Sequence, residues 1–195
     1  MPFLSLCNPS AAASPPTGVE WLHEPKFDGW RIQVAVAKAG VRLYSRRGIT
    51  ITSRLARLRR ALAALPVDTV LDGELVSADG DFWNTSAAIG ADTALIVAFD
   101  VLMVAGQDVR PLPLMDRKAL LGPLVRDLEG VVAADTYDDG MRLLAALEDM
   151  GGEGVVSKRR DAPYRAGQTR TWLKCKTTVW REANRERWRA FVGKQ

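Results

Sequence analysis

The 195-residue chain has two cysteines, Cys7 and Cys175, and one histidine, His23. Two cysteines without paired spacing exclude a disulfide framework and a cysteine-rich zinc site. Any Ser-His-Asp triad, or any metal site containing histidine, would have to use His23 itself. Long apolar runs are also missing. Stretches such as residues 94–99 fall far below the ~20 residues of a membrane span. Residues 1–16 lack the charged start and apolar centre of a secretory signal. The expectation is a soluble intracellular chain that does not use a membrane. The composition, 47% hydrophobic against 26% charged, excludes a disordered chain. The length suits one domain at ~100–200 residues per domain.

Acidic residues are absent from one long stretch. Residues 29–67 carry Arg31, Lys38, Arg42, Arg46, Arg47, Arg54, Arg57, Arg59 and Arg60 without a single Asp or Glu. Residues 174–195 add seven basic side chains against Glu182 and Glu186. The whole chain is only +4, so the remainder is acidic. Two basic blocks on an acidic body point to an anionic partner. Arginines on solvated helix faces would give the same count.

The pattern of what is present predicts an α+β domain. Residues 1–18, rich in Ser, Ala and Pro, read as an irregular lead-in. Residues 29–38 and 41–45 read as strands joined in a hairpin. Leu55, Leu58, Leu62 and Leu65 have helical spacing within residues 52–65, which stop at Pro66. Residues 69–77 and 94–104 read as strands, with a turn at Asp79-Gly80-Asp81 between them. Residues 116–124 and 138–150 read as helices, each with Asp near its start. Residues 154–158 and 171–176 read as short strands. A terminal helix over residues 177–192 places Trp180, Asn184, Trp188 and Phe191 on one face. Arg181, Arg185 and Arg189 form a neighbouring stripe. The resulting organisation is a lead-in over 1–18, a main domain over 19–176 and a basic helix over 177–195 packed on it.

Several short motifs carry chemistry. Lys26 lies in Glu24-Pro25-Lys26-Phe27-Asp28-Gly29-Trp30-Arg31, beside a carboxylate and a glycine. A lysine is nucleophilic only when neutral, and its usual pKa of about 10.4 leaves roughly one in a thousand neutral near pH 7.4. It needs cationic neighbours, a metal or desolvation to become useful. By itself, Lys-x-Asp-Gly is frequent and reads as a surface turn. Lys174 and Lys176 alternate about Cys175, so both face one side of a strand. Two ammonium groups on one face suit a phosphate. His23 reads as a structural histidine.

Taken together and in order, these motifs resemble those of covalent nucleotidyltransferases, specifically ATP-dependent DNA ligases. Lys26-Phe27-Asp28-Gly29-Trp30-Arg31 is similar to the nucleophile motif, and Tyr44-Ser45-Arg46-Arg47-Gly48 to the segment that follows. Asp72-Gly73-Glu74-Leu75, Phe99-Asp100-Val101-Leu102, Glu153-Gly154-Val155-Val156-Ser157-Lys158 and Trp172-Leu173-Lys174-Cys175-Lys176 are similar to the later motifs. Pro15-Pro16, Trp21-Leu22-His23-Glu24 and Pro163-Tyr164-Arg165 most resemble the ligase domains of bacterial end-joining ligases.

The resemblance implies a nucleotidyltransferase fold of antiparallel sheets flanked by helices. It implies that Lys26 attacks the α-phosphate of ATP, expels pyrophosphate and holds AMP. It gives the nucleotide Glu24, Arg31, Arg46, Glu74, Phe99, Arg117, Lys174 and Lys176. Of these, Glu24 would meet the adenine amino group, Phe99 the adenine ring and Arg117 the triphosphate. Glu74 and Glu153 would meet Mg²⁺ or Mn²⁺. Lys158 follows the metal-ligand candidate closely. Nicked or broken duplex DNA is the implied substrate, with end-joining or repair proteins as partners, a monomeric state and a bacterial cytoplasmic or nucleoid location. The family's oligonucleotide-binding barrel has no counterpart after residue 176. Either an excised domain or a short natural chain fits, and Met1 with the coherent last helix favours the short chain. Nick sealing is then expected to lag behind adenylation. Two alternatives stay open at this stage: a non-catalytic nucleotide- or DNA-end-binding module, and an RNA ligase or capping-type enzyme.

Overall fold

A computed structural model describes residues 2–78 and 82–192, and the side chains of 82, 83 and 186–192 lie outside that description. The fold is α+β, as the sequence predicts, and the chain divides into two compact units. The first comprises residues 1–8, 28–134 and 160–167; the second comprises residues 9–27, 135–159 and 168–195.

The second unit is built on a four-stranded sheet. Its strands are β1 (Cys7–Ala11), β2 (Trp21–Lys26), β9 (Gly154–Arg159) and β10 (Gly167–Lys176), in the order β1-β10-β9-β2. Strands β2 and β10 both pair antiparallel with β9. Helix α4 (Gly140–Asp149) packs on β2 and β9. Its start is fixed by Asp139, whose side chain accepts from the Arg142 N–H. The sequence places Asp138 near this start on dipole grounds, and the residue that caps the helix is the next one. The terminal helix α5 spans Thr178–Val192. Both expected strands in this unit are present, and β10 begins earlier than predicted. Two strands were not predicted. One, β1, lies inside the stretch read as an irregular lead-in; the other, β2, carries Lys26 at its end.

The first unit holds a larger sheet. Its strands are β3 (Trp30–Ala37), β4 (Gly40–Ser45), β5 (Thr69–Val76), β6 (Leu95–Val104) and the short β7 (Gln107–Asp108), in the order β4-β3-β5-β6-β7. A three-residue strand, β8 (Val131–Ala133), adds parallel to β6. One face supplies Ile32, Val34, Val36, Leu71, Leu75, Ile96 and Val101 to the core. Against them pack Leu55, Leu58 and Leu62, from α1 (Ala56–Leu62) and the residue before it. The predicted helix over 52–65 is thus shorter than expected. A single 3₁₀ turn over Thr52–Arg54 precedes it. Helices α2 (Phe82–Gly90) and α3 (Leu114–Val125) complete the unit. The turn expected at Asp79-Gly80-Asp81 lies outside the described residues.

Candidate active site

Register decides what the second unit's sheet presents. Lys26, Gly154 and Lys176 form one cross-strand row. Glu24, Val156 and Lys174 form the next, and Leu22, Lys158 and Trp172 the third. Since strand side chains alternate, all three rows share a face. That face therefore gathers Lys26, Glu24, Lys158, Lys174 and Lys176, although 152 residues of sequence separate Glu24 from Lys176. The opposite face carries His23 and Ser157, in contact at 2.8 Å and buried. A side chain at Gly140, the first residue of α4, would collide with the His23 ring. His23 is a packing residue, as expected.

The Lys26 row contains the clearest constellation. Lys26 Nζ donates to Glu153 Oε2 at 2.7 Å, and Lys176 Nζ meets Glu153 Oε1 at 2.8 Å. The carboxylate is 3% exposed, whereas the two ammonium groups' side chains are 23% and 31% exposed. Glycine at 154 makes the arrangement possible. Its φ is +150°, and an added Cβ would strike the Cys175 carbonyl. Two cations on one carboxylate leave one positive charge, which suits an anion such as a phosphate. Deeper on the same face, Lys158 Nζ donates to Glu24 Oε2 at 2.6 Å and lies 4.1 Å from the Trp172 ring. Glu24 and Lys158 are both buried. Lys174 is half-buried in the row of Glu24.

The first unit makes a separate polar cluster on the non-core face of its sheet. Arg31 on β3 stands opposite Glu74 on β5. It donates from Nε and Nη2 to the two oxygens of Asp72, both at 2.6 Å. The guanidinium lies 4.5 Å from the Phe99 ring centroid. Burial opposes the Arg31 charge, but Asp72 more than compensates and holds its pKa above the usual arginine value. Asp72 also accepts from the Tyr164 hydroxyl at 2.6 Å, and that hydroxyl accepts from the Cys7 N–H at 2.9 Å. Burial and then the Asp72 charge push the Tyr164 phenol well above its usual pKa. A side chain at Gly29 would collide with the Leu75 carbonyl, which accounts for the glycine in the Lys26 motif.

Arg31, Glu74 and Phe99 are thus brought together. Arg46 is exposed at the end of β4, with Nη2 3.2 Å from Asn8 Oδ1. Arg117 adjoins the first-unit cluster only through Tyr164, its guanidinium 5.9 Å from that ring's centroid. It is fully buried on α3, paired with both oxygens of Asp100 at 2.8 Å. Its Nη1 donates to the carbonyls of Leu112 and Ala162. In this structure these partners engage the guanidinium that the resemblance assigns to the triphosphate. Asp72, Asp100 and Tyr164 lie within the sequence motifs, which assign them no role of their own. The signal for their roles was a polar residue inside an otherwise apolar strand, as in Leu71-Asp72-Gly73. Helix α5 has the predicted amphipathic pattern over its described side chains. Asn184 is buried, while Arg181 and Arg185 are exposed. The side chains of Trp188, Arg189 and Phe191 lie outside the description.

A family model described as the ATP-dependent DNA ligase domain matches residues 10–176. The multifunctional non-homologous end joining protein LigD of Pseudomonas aeruginosa is 35% identical over 184 residues, covering 89% of this chain and 22% of that protein. A probable DNA ligase of Streptomyces coelicolor is 37% identical over 175 residues, covering 78% of this chain and 34% of that protein. The chain thus spans between a fifth and about a third of the length of these relatives. A solved mycobacterial DNA ligase D, complexed with ATP and MES, superposes with a TM-score of 0.76 at 29% identity. That superposition covers 89% of this chain and 60% of the other.

Proposed function

Because the chain belongs to the ATP-dependent DNA ligase domain family, we propose that it adenylates itself at Lys26 as a step in joining nicks or ends in duplex DNA. The observation that carries this reading is the shared carboxylate of Glu153, which holds Lys26 and Lys176 side by side with one positive charge in excess. The alternative non-catalytic and RNA-ligase readings have no feature of this geometry in their favour.

Attack requires the Lys26 amine to shed a proton and approach phosphorus in line with the departing pyrophosphate. The N–P bond forms as the P–O bond to pyrophosphate breaks. Lys176 and Lys174, on the same face of β10, neutralise charge that builds on the phosphoryl oxygens. Glu24 is an acceptor-only carboxylate held by Lys158, and so suits an amino group such as that of adenine. Taken by itself, the first unit's Phe99 ring with Arg31 and Glu74 beside it is of a kind that suits an aromatic base, and Arg46 an anion.

The residues also fit a divalent cation. Among the described residues there is no group of three or more His, Cys, Asp or Glu placed to hold a metal. Mg²⁺ does not need one, because it commonly takes one or two carboxylates and completes its shell with substrate phosphates and water. Glu153 is the residue suited to that role, with Glu74 as the second candidate. The ion would supply charge neutralisation on phosphate oxygens. No helix among the described residues is long and apolar enough to cross a membrane.

Intact-mass measurement after incubation with ATP and Mg²⁺ or Mn²⁺ tests the reading. The chain is expected to gain one AMP, and Lys26→Ala none. Glu153→Ala is expected to lose most of the rate and its metal dependence. An acid-stable adduct elsewhere, with Lys26 unmodified, would overturn the proposal. Incubation with GTP separates a capping-type enzyme.

A further inference from the structure

Helix α5 begins two residues after the family match ends, yet it reaches the constellation that carries the proposed chemistry. The Trp180 ring centroid lies 3.6 Å from Lys176 Nζ, the same nitrogen that pairs with Glu153. The helix is pinned where it does so. The Glu148 carboxylate at the end of α4 accepts from the Thr178 and Val179 N–H groups, at 2.9 and 2.8 Å. The Thr177 hydroxyl donates to the Gly152 carbonyl at 2.6 Å, one residue before Glu153. The Thr177 N–H donates to the Glu153 carbonyl at 3.0 Å. The first turn of α5 is therefore fastened to the backbone that presents Glu153, and its tryptophan lies against the neighbouring cation.

We infer that Trp180 is a positioning residue for lysine adenylation: its ring holds Lys176 on Glu153 and so fixes the charge arrangement around Lys26. The inference rests on the function proposed above. A lysine side chain has four rotatable bonds, and a half-exposed ammonium on a single ion pair samples many of them. An indole face is the strongest aromatic partner for a cation and restricts that sampling. Lys176 then stays on Oε1 of Glu153, leaving Oε2 to Lys26. Without the ring, Lys176 can leave the carboxylate, and the excess positive charge beside the nucleophile is no longer fixed. Trp180 touches none of the reacting atoms; it acts through Lys176.

The test uses the full chain and two readouts. The first is single-turnover adenylation over a range of ATP concentrations for Trp180→Leu, Trp180→Phe, Lys176→Met and the Lys176→Met/Trp180→Leu double variant. Trp180→Leu is expected to slow the maximal rate about five- to tenfold, the size of one cation–π contact, with half-saturating ATP little changed. Trp180→Phe is expected to restore much of the rate, because a weaker aromatic face remains. The double variant is expected to be no slower than Lys176→Met alone. Additive losses, or a Trp180→Leu rate equal to wild type, would overturn the inference.

The second readout needs no turnover. In lysine-labelled protein, the Lys176 ε-methylene resonance, assigned by its loss in Lys176→Met, is expected upfield from the indole ring current. It is expected to return to the ordinary lysine position in Trp180→Leu. An ordinary position in wild type would also overturn the inference. A wild-type chain that takes no AMP defeats the function proposed above instead, and the ring contact then stands or falls on the resonance alone.

Discussion

Tyr164 sits between two partners that both depend on its hydroxyl. It gives its proton to Asp72 and receives one from the Cys7 N–H, while Asp72 holds Arg31 over Phe99. The folded state keeps this phenol neutral, with its pKa raised by burial and by the Asp72 charge. In the unfolded chain a tyrosine ionises near pH ~10. Below that pH both states hold the proton, and the full contribution to stability is present. Above it the unfolded chain releases the proton while the folded chain keeps it, so unfolding becomes more favourable. Thermal melts from pH 7 to 11 are expected to show a fall above pH ~10 that is shallower in Tyr164→Phe. At neutral pH the same variant is expected to lose about 1–3 kcal/mol, since a buried N–H is left without its acceptor. Parallel pH profiles for the two proteins would remove the phenol from this role. A second buried ion pair joins Arg117 to Asp100, and the same guanidinium also donates to the carbonyls of Leu112 and Ala162.

At the scale of elements, β9 depends most closely on one residue. Gly154 combines a positive φ with a backbone carbonyl where a Cβ would go. Gly154→Ala is expected to cost ~1–3 kcal/mol, read as a drop of several degrees in melting temperature. It is also expected to displace Lys26 and Lys176 and slow adenylation. Gly151→Ala is the control. Its φ is +71°, but nothing lies within 4 Å of the added Cβ, so it tests backbone strain without collision. Equal loss of activity in both variants would mean that the close approach at Gly154 is unimportant.

The same elements explain how far the sequence could be read. Strands β3, β5 and β6 were legible because one face is almost wholly aliphatic. Lys26, Glu153, Lys174 and Lys176 were legible through the ordered resemblance of their motifs, since Lys-x-Asp-Gly by itself reads as a surface turn. Strands β1 and β2 were not, since they contain Pro9 and Pro25. Both lie at the sheet's edges, where proline's missing N–H is tolerated. Neither alternates apolar and polar residues over enough positions to announce itself. Helix α2 was missed because Phe82–Gly90 contains Asn84, Thr85 and a terminal glycine, and has no charged residues. The partnership of Trp180 with Lys176 was invisible because helical spacing orders residues around an axis. It does not say which strand residue the axis will pass.

At the scale of the molecule, charge is the property to test. Arg42, Arg46, Arg47, Arg54, Arg59 and Arg60 are all exposed on the first unit, and Arg181 and Arg185 on α5 of the second. Arg57 is different, being tied to Asp92 and to the Ala94 carbonyl. If the exposed arginines meet six to ten DNA phosphates, affinity for nicked duplex is expected to fall about 10³–10⁵-fold between 50 and 200 mM salt. Titrations by fluorescence anisotropy measure that slope. A nearly flat response would assign these arginines to solubility.

The division into two units also has a genetic consequence. Each unit is assembled from separate stretches of sequence, and the chain alternates between them. No single deletion or truncation of the gene can remove one unit and leave the other intact. The stretch ending at Phe27 belongs to one unit and the stretch beginning at Asp28 to the other, so the boundary falls inside the Lys26 motif itself. A gene that shed either unit piecemeal would cut into the coding of the Lys26 motif or of the strands around it. The two units can therefore only be inherited together.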